Sequence, residues 1–233
     1  MKFGIIGTGL WGAVWHRQLD RMGHQVSWQR GQSWRVEKTR PDAVIIASSA
    51  DSHYWLAREL MRKKIPIVIE KPMCLRASHA RHLVDVGLVH DAIAFTDHTR
   101  LYSPAWREFR DKALENEIQS VRAEAGGPCK LDPWWDWGSH LVAMCLDLGF
   151  DPAKAEIVTS RDELALTLQV NDGLKFQELD ETGFGSAEGE SPLAVLVKEF
   201  CQALEKGEPD IRGLRLGRAV VEALEAKELS GTL

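Results

Sequence analysis

Lys2-Phe3-Gly4-Ile5-Ile6-Gly7-Thr8-Gly9-Leu10-Trp11-Gly12 is the stretch that decides the fold. The apolar run Lys2–Ile6 reads as a strand, and Leu10–Met22 reads as a helix closed by Gly23. Between them lies a Gly-x-Gly-x-x-Gly pattern with a task for each glycine. Gly7 allows the tight turn, Gly9 lets the backbone approach a pyrophosphate, and Gly12 lets helix and strand pack closely. Thr8, Leu10 and Trp11 fill the intervening positions. The helix N-terminus then offers its N–H groups and positive dipole end to the phosphates. A dinucleotide-binding βαβ unit is expected.

Working outward, Gln25–Trp28, Ala43–Ser48, Pro66–Glu70 and Ala92–Thr96 read as further strands, with helices at Ser52–Lys63 and Arg76–Val89. This alternation predicts a mainly parallel sheet covered by helices over residues 1–100, a Rossmann-type α/β domain. The charged segment Gln29–Asp42 is barely long enough for a crossover and predicts one short turn of helix or an irregular crossing. Residues 101–233 change character. Helices at Pro104–Glu115 and Trp137–Leu148 are interspersed with strands at Gln119–Ala125, Ala155–Thr159, Leu164–Val170 and Leu174–Leu179, the last two joined by Asn171-Asp172-Gly173. Thr182–Ser191 reads as a loop, and helices at Pro192–Glu205 and Leu214–Leu229 close the chain. The second domain is therefore an α+β domain with a mixed or antiparallel sheet for substrate binding and oligomerisation, its closing helices free to pack back on the first.

Composition excludes several classes. The 233 residues carry a net charge of −5 and a pI of about 5.9, with 44% hydrophobic and 27% charged residues. No basic surface for nucleic acid is expected, and no apolar run approaches membrane-spanning length. The glycine turn starts so early that no leader is expected. Cys74, Cys129, Cys145 and Cys201 lie far apart, as reduced thiols of a cytoplasmic protein would. His79 and His82 are three apart with no third ligand nearby, so no metal is expected.

Cofactor choice is read at the end of the second strand. NAD-preferring domains place an acid about 20 residues after the glycines. Here the segment is Ser27-Trp28-Gln29-Arg30, without an acid. Arg30 suits a 2′-phosphate and Trp28 an adenine face, which favours NADP over NAD. Glu70-Lys71-Pro72 closes the fourth strand at the sheet edge where such folds bind ligands, and a lysine there can hydrogen-bond a substrate oxygen.

Taken together, Gly7–Gly12, Asp42-Ala43-Val44-Ile45-Ile46-Ala47-Ser48, His53, Glu70-Lys71-Pro72, Asp136-Trp137-Gly138-Ser139-His140 and the ending Ser191-Pro192-Leu193-Ala194 through Gly207-Glu208-Pro209 resemble the Gfo/Idh/MocA oxidoreductases. The resemblance implies NAD(P)-dependent oxidation or reduction of sugars, cyclitols and related polyols or carbonyls. It implies that Lys71 bonds the reacting oxygen, that His140 is general acid/base and that Asp136 orients it. It also implies a cis Lys71–Pro72 bond, and that Ser48, Ser49, His53 and Glu70 border the cofactor. Positions 136 and 140 are one helical turn apart and share a face. The chain departs from the family at Ala50, where an asparagine is usual, and at Leu141–Ala143, where an acid is usual.

Tentative substrate contacts are His98 and Tyr102, just past the last strand of the first domain, and Trp134 and Trp135. Aromatic faces suit the C–H faces of sugar rings, and burial in the fold or an interface is the other reading of these tryptophans. The expectation is a dehydrogenase or reductase acting on CH–OH groups of a small sugar-like or polyol-like molecule, in a homodimer or homotetramer. The alternative is a non-catalytic NAD(P)-binding regulatory protein of the same fold.

Overall fold

The computed structural model describes residues 1–30, 40–161, 165–171, 173–178 and 190–230. Four expectations fall wholly or partly outside the described residues: the crossover after Arg30, Asp172 of the hairpin, the loop at 182–191, and the side chains of Trp28 and Arg30. Among the described residues the strands are β1 (Lys2–Ile6), β2 (Gln25–Arg30), β3 (Ala43–Ile46), β4 (Ile67–Glu70), β5 (Ala94–Asp97), β6 (Val121–Gly126), β7 (Glu156–Ser160), β8 (Ala165–Val170) and β9 (Leu174–Glu178). The helices are α1 (Leu10–Arg21), α2 (Ala50–Arg62), α3 (Ala77–Val89), α4 (Pro104–Leu114), α5 (Pro133–Asp147), α6 (Pro192–Lys206) and α7 (Arg212–Ser230). Two compact units result: Met1–Asp97 with Leu196–Val221, and His98–Val195 with Glu222–Leu233.

The first unit is built on a five-stranded parallel sheet in the order β2-β1-β3-β4-β5. β3 and β4 are buried along their whole length, which is why they read as unbroken apolar runs rather than alternating ones. From β1 the chain steps outward to β2, then returns to β3 on the other side. That reversal creates the switch point at which open α/β sheets bind ligands, at the carboxyl ends of the strands. The last helices supply part of this unit's core: Phe200 of α6 packs edge-on against Phe95 of β5 with ring centroids 5.2 Å apart. The backbone leading into α7 joins β5, Ala94 N–H donating to the Asp210 carbonyl at 2.8 Å.

The second unit holds a four-stranded sheet in the order β7-β6-β8-β9. β6 pairs in parallel with β7 and antiparallel with β8, and β8 pairs antiparallel with β9, so the sheet is mixed. Its covered face meets Trp106 and Phe109 of α4 through Phe176, with ring centroids 5.4 to 5.5 Å apart. Its open face is polar, with Arg122 bonded to Glu124 at 3.1 Å and paired with Glu156 at 3.6 Å. Asn171, in the left-handed region at φ 50°, turns the chain from β8 to β9. Its side-chain oxygen also accepts from Gln119 N–H at 2.9 Å.

Three helix starts differ from the sequence reading by two residues or more, α7 beginning at Arg212 rather than Leu214. α2 begins at Ala50 rather than Ser52, placing His53 within its first turn. α5 begins at Pro133 rather than Trp137, because Asp132 caps it by accepting from Trp134 N–H at 2.9 Å and Pro133 takes the first helical position. Trp134 and Trp135, placed ahead of the helix by the sequence reading, are thereby part of it.

Candidate functional site

At the carboxyl edge of the first sheet, the turn after β1 is set by backbone contact. Gly7 has φ 134°, and a Cβ there would fall 2.2 Å from the Ala47 carbonyl oxygen at the end of β3. A Cβ on Gly12 would fall 2.2 Å from the Gly7 carbonyl oxygen. Only glycine permits either approach. Gly9 is different: nothing lies within 4 Å of its notional Cβ, so this side of the loop is open. α1 starts there without a side-chain cap and without an acidic residue in its first turn. Leu10 and Trp11 are exposed beside it. A loop packed against protein at Gly7 and Gly12 and open at Gly9 fits a dinucleotide pyrophosphate.

Gln29 braces this turn, donating through its side-chain nitrogen to the Gly7 carbonyl at 2.8 Å, while its oxygen lies 2.9 Å from His16 Nδ1. Ser48 and Ser52 hydroxyls bond each other at 2.6 Å at the entrance to α2. His53 is buried, its Nε2 3.0 Å from the Ser48 carbonyl and its Nδ1 3.0 Å from the Pro72 carbonyl. The ring therefore spans the turn after β3 and the turn after β4. Burial is the largest influence on it and lowers its pKa, against the raising effect of the two carbonyls and Asp51. The buried His53 side chain braces these two turns.

Glu70 behaves likewise. Instead of facing outward it is buried, accepting from Trp15 Nε1–H at 2.7 Å and lying in register beside Asp97. Burial first, and then the charge of Asp97, push its carboxyl well above the ordinary carboxylate range. Lys71 follows it, half-buried, and the Lys71–Pro72 bond is cis, as the resemblance implied. Trp15 and Asp97 were not legible as site residues. Asp97 meets Glu70 only because β4 and β5 pair in parallel with these two residues in register.

In the second unit, α5 carries Asp136 and His140 one turn apart, Asp136 half-buried and His140 buried. The Trp137 ring lies 6.1 Å from the His140 ring, and the Trp137 indole donates to the Gly127 carbonyl at 3.0 Å. The two tryptophans expected as a possible substrate wall face inward. Trp134 donates to the Leu224 carbonyl at 3.0 Å under the Lys227 ammonium, and Trp135 donates to Glu228 at 3.3 Å. Both indoles bury against the end of α7, in keeping with the other reading of these tryptophans. His98 is buried, and Tyr102 lies under the Arg107 guanidinium at 5.5 Å. Among the described residues no group of three or more His, Cys, Asp or Glu is arranged to hold a metal, and no helix is long and apolar enough to cross a membrane.

Residues 32–98 match the model of the Gfo/Idh/MocA oxidoreductase family, NAD-binding Rossmann fold. The match spans less than a third of the chain. It is 24% identical over 111 residues to YceM of Salmonella typhimurium, a match covering 43% of this chain and 36% of that protein. Among solved structures, UDP-N-acetylglucosamine 3-dehydrogenase GnnA from Acidithiobacillus ferrooxidans superposes with a TM-score of 0.78 at 16% identity, covering 99% of this chain and 97% of that one. Scyllo-inositol dehydrogenase from Lactobacillus casei, solved with NAD(H) and scyllo-inositol, gives 0.77 at 12% identity, covering 97% and 95%. At these identities the likeness is one of fold, and it spans both units. Residues 32–98 thus match an NAD-binding oxidoreductase family, and the chain carries a Rossmann-type parallel sheet and, in its second unit, a mixed sheet.

Proposed function

We propose that this chain is an NAD(P)-dependent dehydrogenase or reductase acting on a secondary alcohol or carbonyl of a sugar-like or polyol-like small molecule. The observation that carries the reading is the single sheet edge that bears both the glycine loop, open at Gly9, and Lys71 at the end of β4. Gly7, Thr8, Gly9, Leu10, Trp11 and Gly12 would hold the pyrophosphate, and Ser48 and Ser49 would flank it. Bound nicotinamide supplies or takes the hydride. Lys71 would donate a hydrogen bond to the reacting oxygen and steady its charge as the C–H bond is made or broken. His140 would take the alcohol proton in oxidation and return it in reduction, with Asp136 orienting the imidazole. Tyr102 and His98 would contribute to the substrate-facing surface.

NADP is the preferred cofactor in this reading. The end of β2 carries the amide Gln29 where an acid would repel a 2′-phosphate, and Arg30, next in sequence, would be the residue type to pair with that phosphate. The inositol and nucleotide-sugar dehydrogenases among the structural relatives support a polyol-like or sugar-like substrate class. Pairing of two copies through the open face of the second sheet would give a homodimer or homotetramer.

Parallel titrations with NADPH and NADH, read by quenching of the exposed Trp11, test the foundation. Binding of neither refutes it. A screen of polyols and keto-sugars then tests turnover, with Lys71→Ala expected to lose roughly 100-fold or more while still binding cofactor. Near-normal turnover in that variant would remove Lys71 from its role. Cofactor binding without turnover of any substrate would favour a non-catalytic protein of the same fold.

A further inference from the structure

Glu70 and Asp97 lie opposite each other at the carboxyl ends of β4 and β5, 4% and 1% exposed. The parallel register puts the two side chains on one face of the sheet, out of water and acting on each other. Two buried carboxylates side by side repel each other and have only acceptors to offer, so a proton on one of them relieves both problems. The indole of Trp15, fully buried on α1, donates to Glu70 Oε1 at 2.7 Å and satisfies a lone pair on the same group. Among the described residues, the other charge acting on Glu70 is Lys71, on the turn after β4. α1 contributes only the neutral indole.

We propose that Glu70 and Asp97 share one proton, and that this singly charged pair is the positioning element for Lys71. Without that proton two ionised carboxylates would lie side by side out of water, which is costly. The pair also links three elements of the proposed site: α1, which starts at the glycine loop, β4, which ends at Lys71, and β5. The position of Lys71, next to this pair in sequence, matters to turnover only if Lys71 has the role proposed above. The shared proton itself does not depend on that role.

The direction of the Glu70 shift supports the pair, because burial and Asp97 both favour the protonated acid. A raised carboxyl holds its proton more tightly in the folded chain than in the unfolded one. Its stabilising effect is complete below the ordinary glutamate range and is lost as pH rises through the folded titration.

Two measurements on the protein without cofactor test the pair. Infrared spectra in heavy water at neutral pH should show the carbonyl stretch of one protonated carboxylic acid, absent from Glu70→Gln and from Asp97→Asn. Thermal midpoints should show the wild type losing on the order of 5 °C relative to either single variant between about pH 5 and about pH 8. This slope, not any constant offset, is the readout, so a general loss of stability in one variant does not mask it. Absence of the protonated-acid band in the wild type overturns the proposal, even if neither variant folds. So does a pH slope that both variants retain. A third measurement reads the positioning of Lys71. In the titrations and turnover assays above, Asp97→Asn should keep cofactor affinity within about 3-fold and lower kcat more than KM changes. Unchanged kcat with the infrared band confirmed would overturn the positioning role while leaving the shared proton in place. Lys71→Ala retaining turnover would instead remove the functional reading on which that role rests.

Discussion

Trp15→Phe isolates the tie between α1 and Glu70. The substitution keeps an aromatic ring in a fully buried position and deletes the indole N–H that meets Glu70 Oε1 at 2.7 Å. A buried acceptor that loses its donor costs about 1–3 kcal/mol. The smaller ring leaves a void of roughly 40 Å³, worth about 1 kcal/mol at about 24 cal/mol per Å³. The expected loss is about 2–4 kcal/mol. A matched control lies in the second unit. Trp106 is equally buried and donates to Asp147 at 2.8 Å, but the Asp147 side chain is 24% exposed and also lies 3.5 Å from Arg110. With water and a guanidinium left to the carboxylate, Trp106→Phe should cost about 1.5–2.5 kcal/mol. Urea unfolding followed by circular dichroism measures both, and the Trp15→Phe thermal midpoint should fall on the order of 10 °C. The indole bond favours the ionised form of Glu70, so its loss should hurt more as pH rises. A Trp15→Phe loss no greater than that of Trp106→Phe, or one that shrinks towards alkaline pH, would refute the reasoning.

Gly9→Ala should leave stability within about 0.5 kcal/mol, because nothing lies near the added methyl, yet weaken dinucleotide binding at least about 10-fold in the Trp11 titration. Gly12→Ala should weaken binding and also lower stability by about 1–3 kcal/mol, since its Cβ meets the Gly7 carbonyl at 2.2 Å. His53 has a lowered pKa, so the unfolded chain takes up a proton first as pH falls; stability should drop below about pH 6.5, and His53→Gln should flatten that drop in thermal scans. Cys145 is buried with its thiol pushed up to about 12, so brief alkylation of the native protein near neutral pH should leave it unmodified in peptide mass spectra, and modification at the rate of a free thiol would contradict that environment.

Much of the first unit was legible because its signals are local. Short apolar runs separated by amphipathic stretches, and glycines at positions 7, 9 and 12, lie within one turn of the features they control. Their spacing alone predicted a strand, a turn and a helix suited to a dinucleotide. The mixed sheet of the second unit was legible in the same way, from strand runs and the turn at Asn171. The start of α5 was misplaced although its signal, Asp132 followed by Pro133, was also local.

By itself, then, the sequence determined the parallel sheet, the glycine loop and the lysine at the end of its strand. Only the tertiary structure decided which way the neighbouring side chains face. Glu70 turns inward to Trp15, 55 positions away in sequence, and to Asp97 across a strand pair, while His53 bridges two separate turns. Trp134 and Trp135 bury against the far end of α7, more than 90 positions later in the case of Trp135. Periodicity reports which face of an element is apolar. Strand register and helix docking decide which distant polar group a buried side chain meets, and a desolvated carboxyl or indole must meet one.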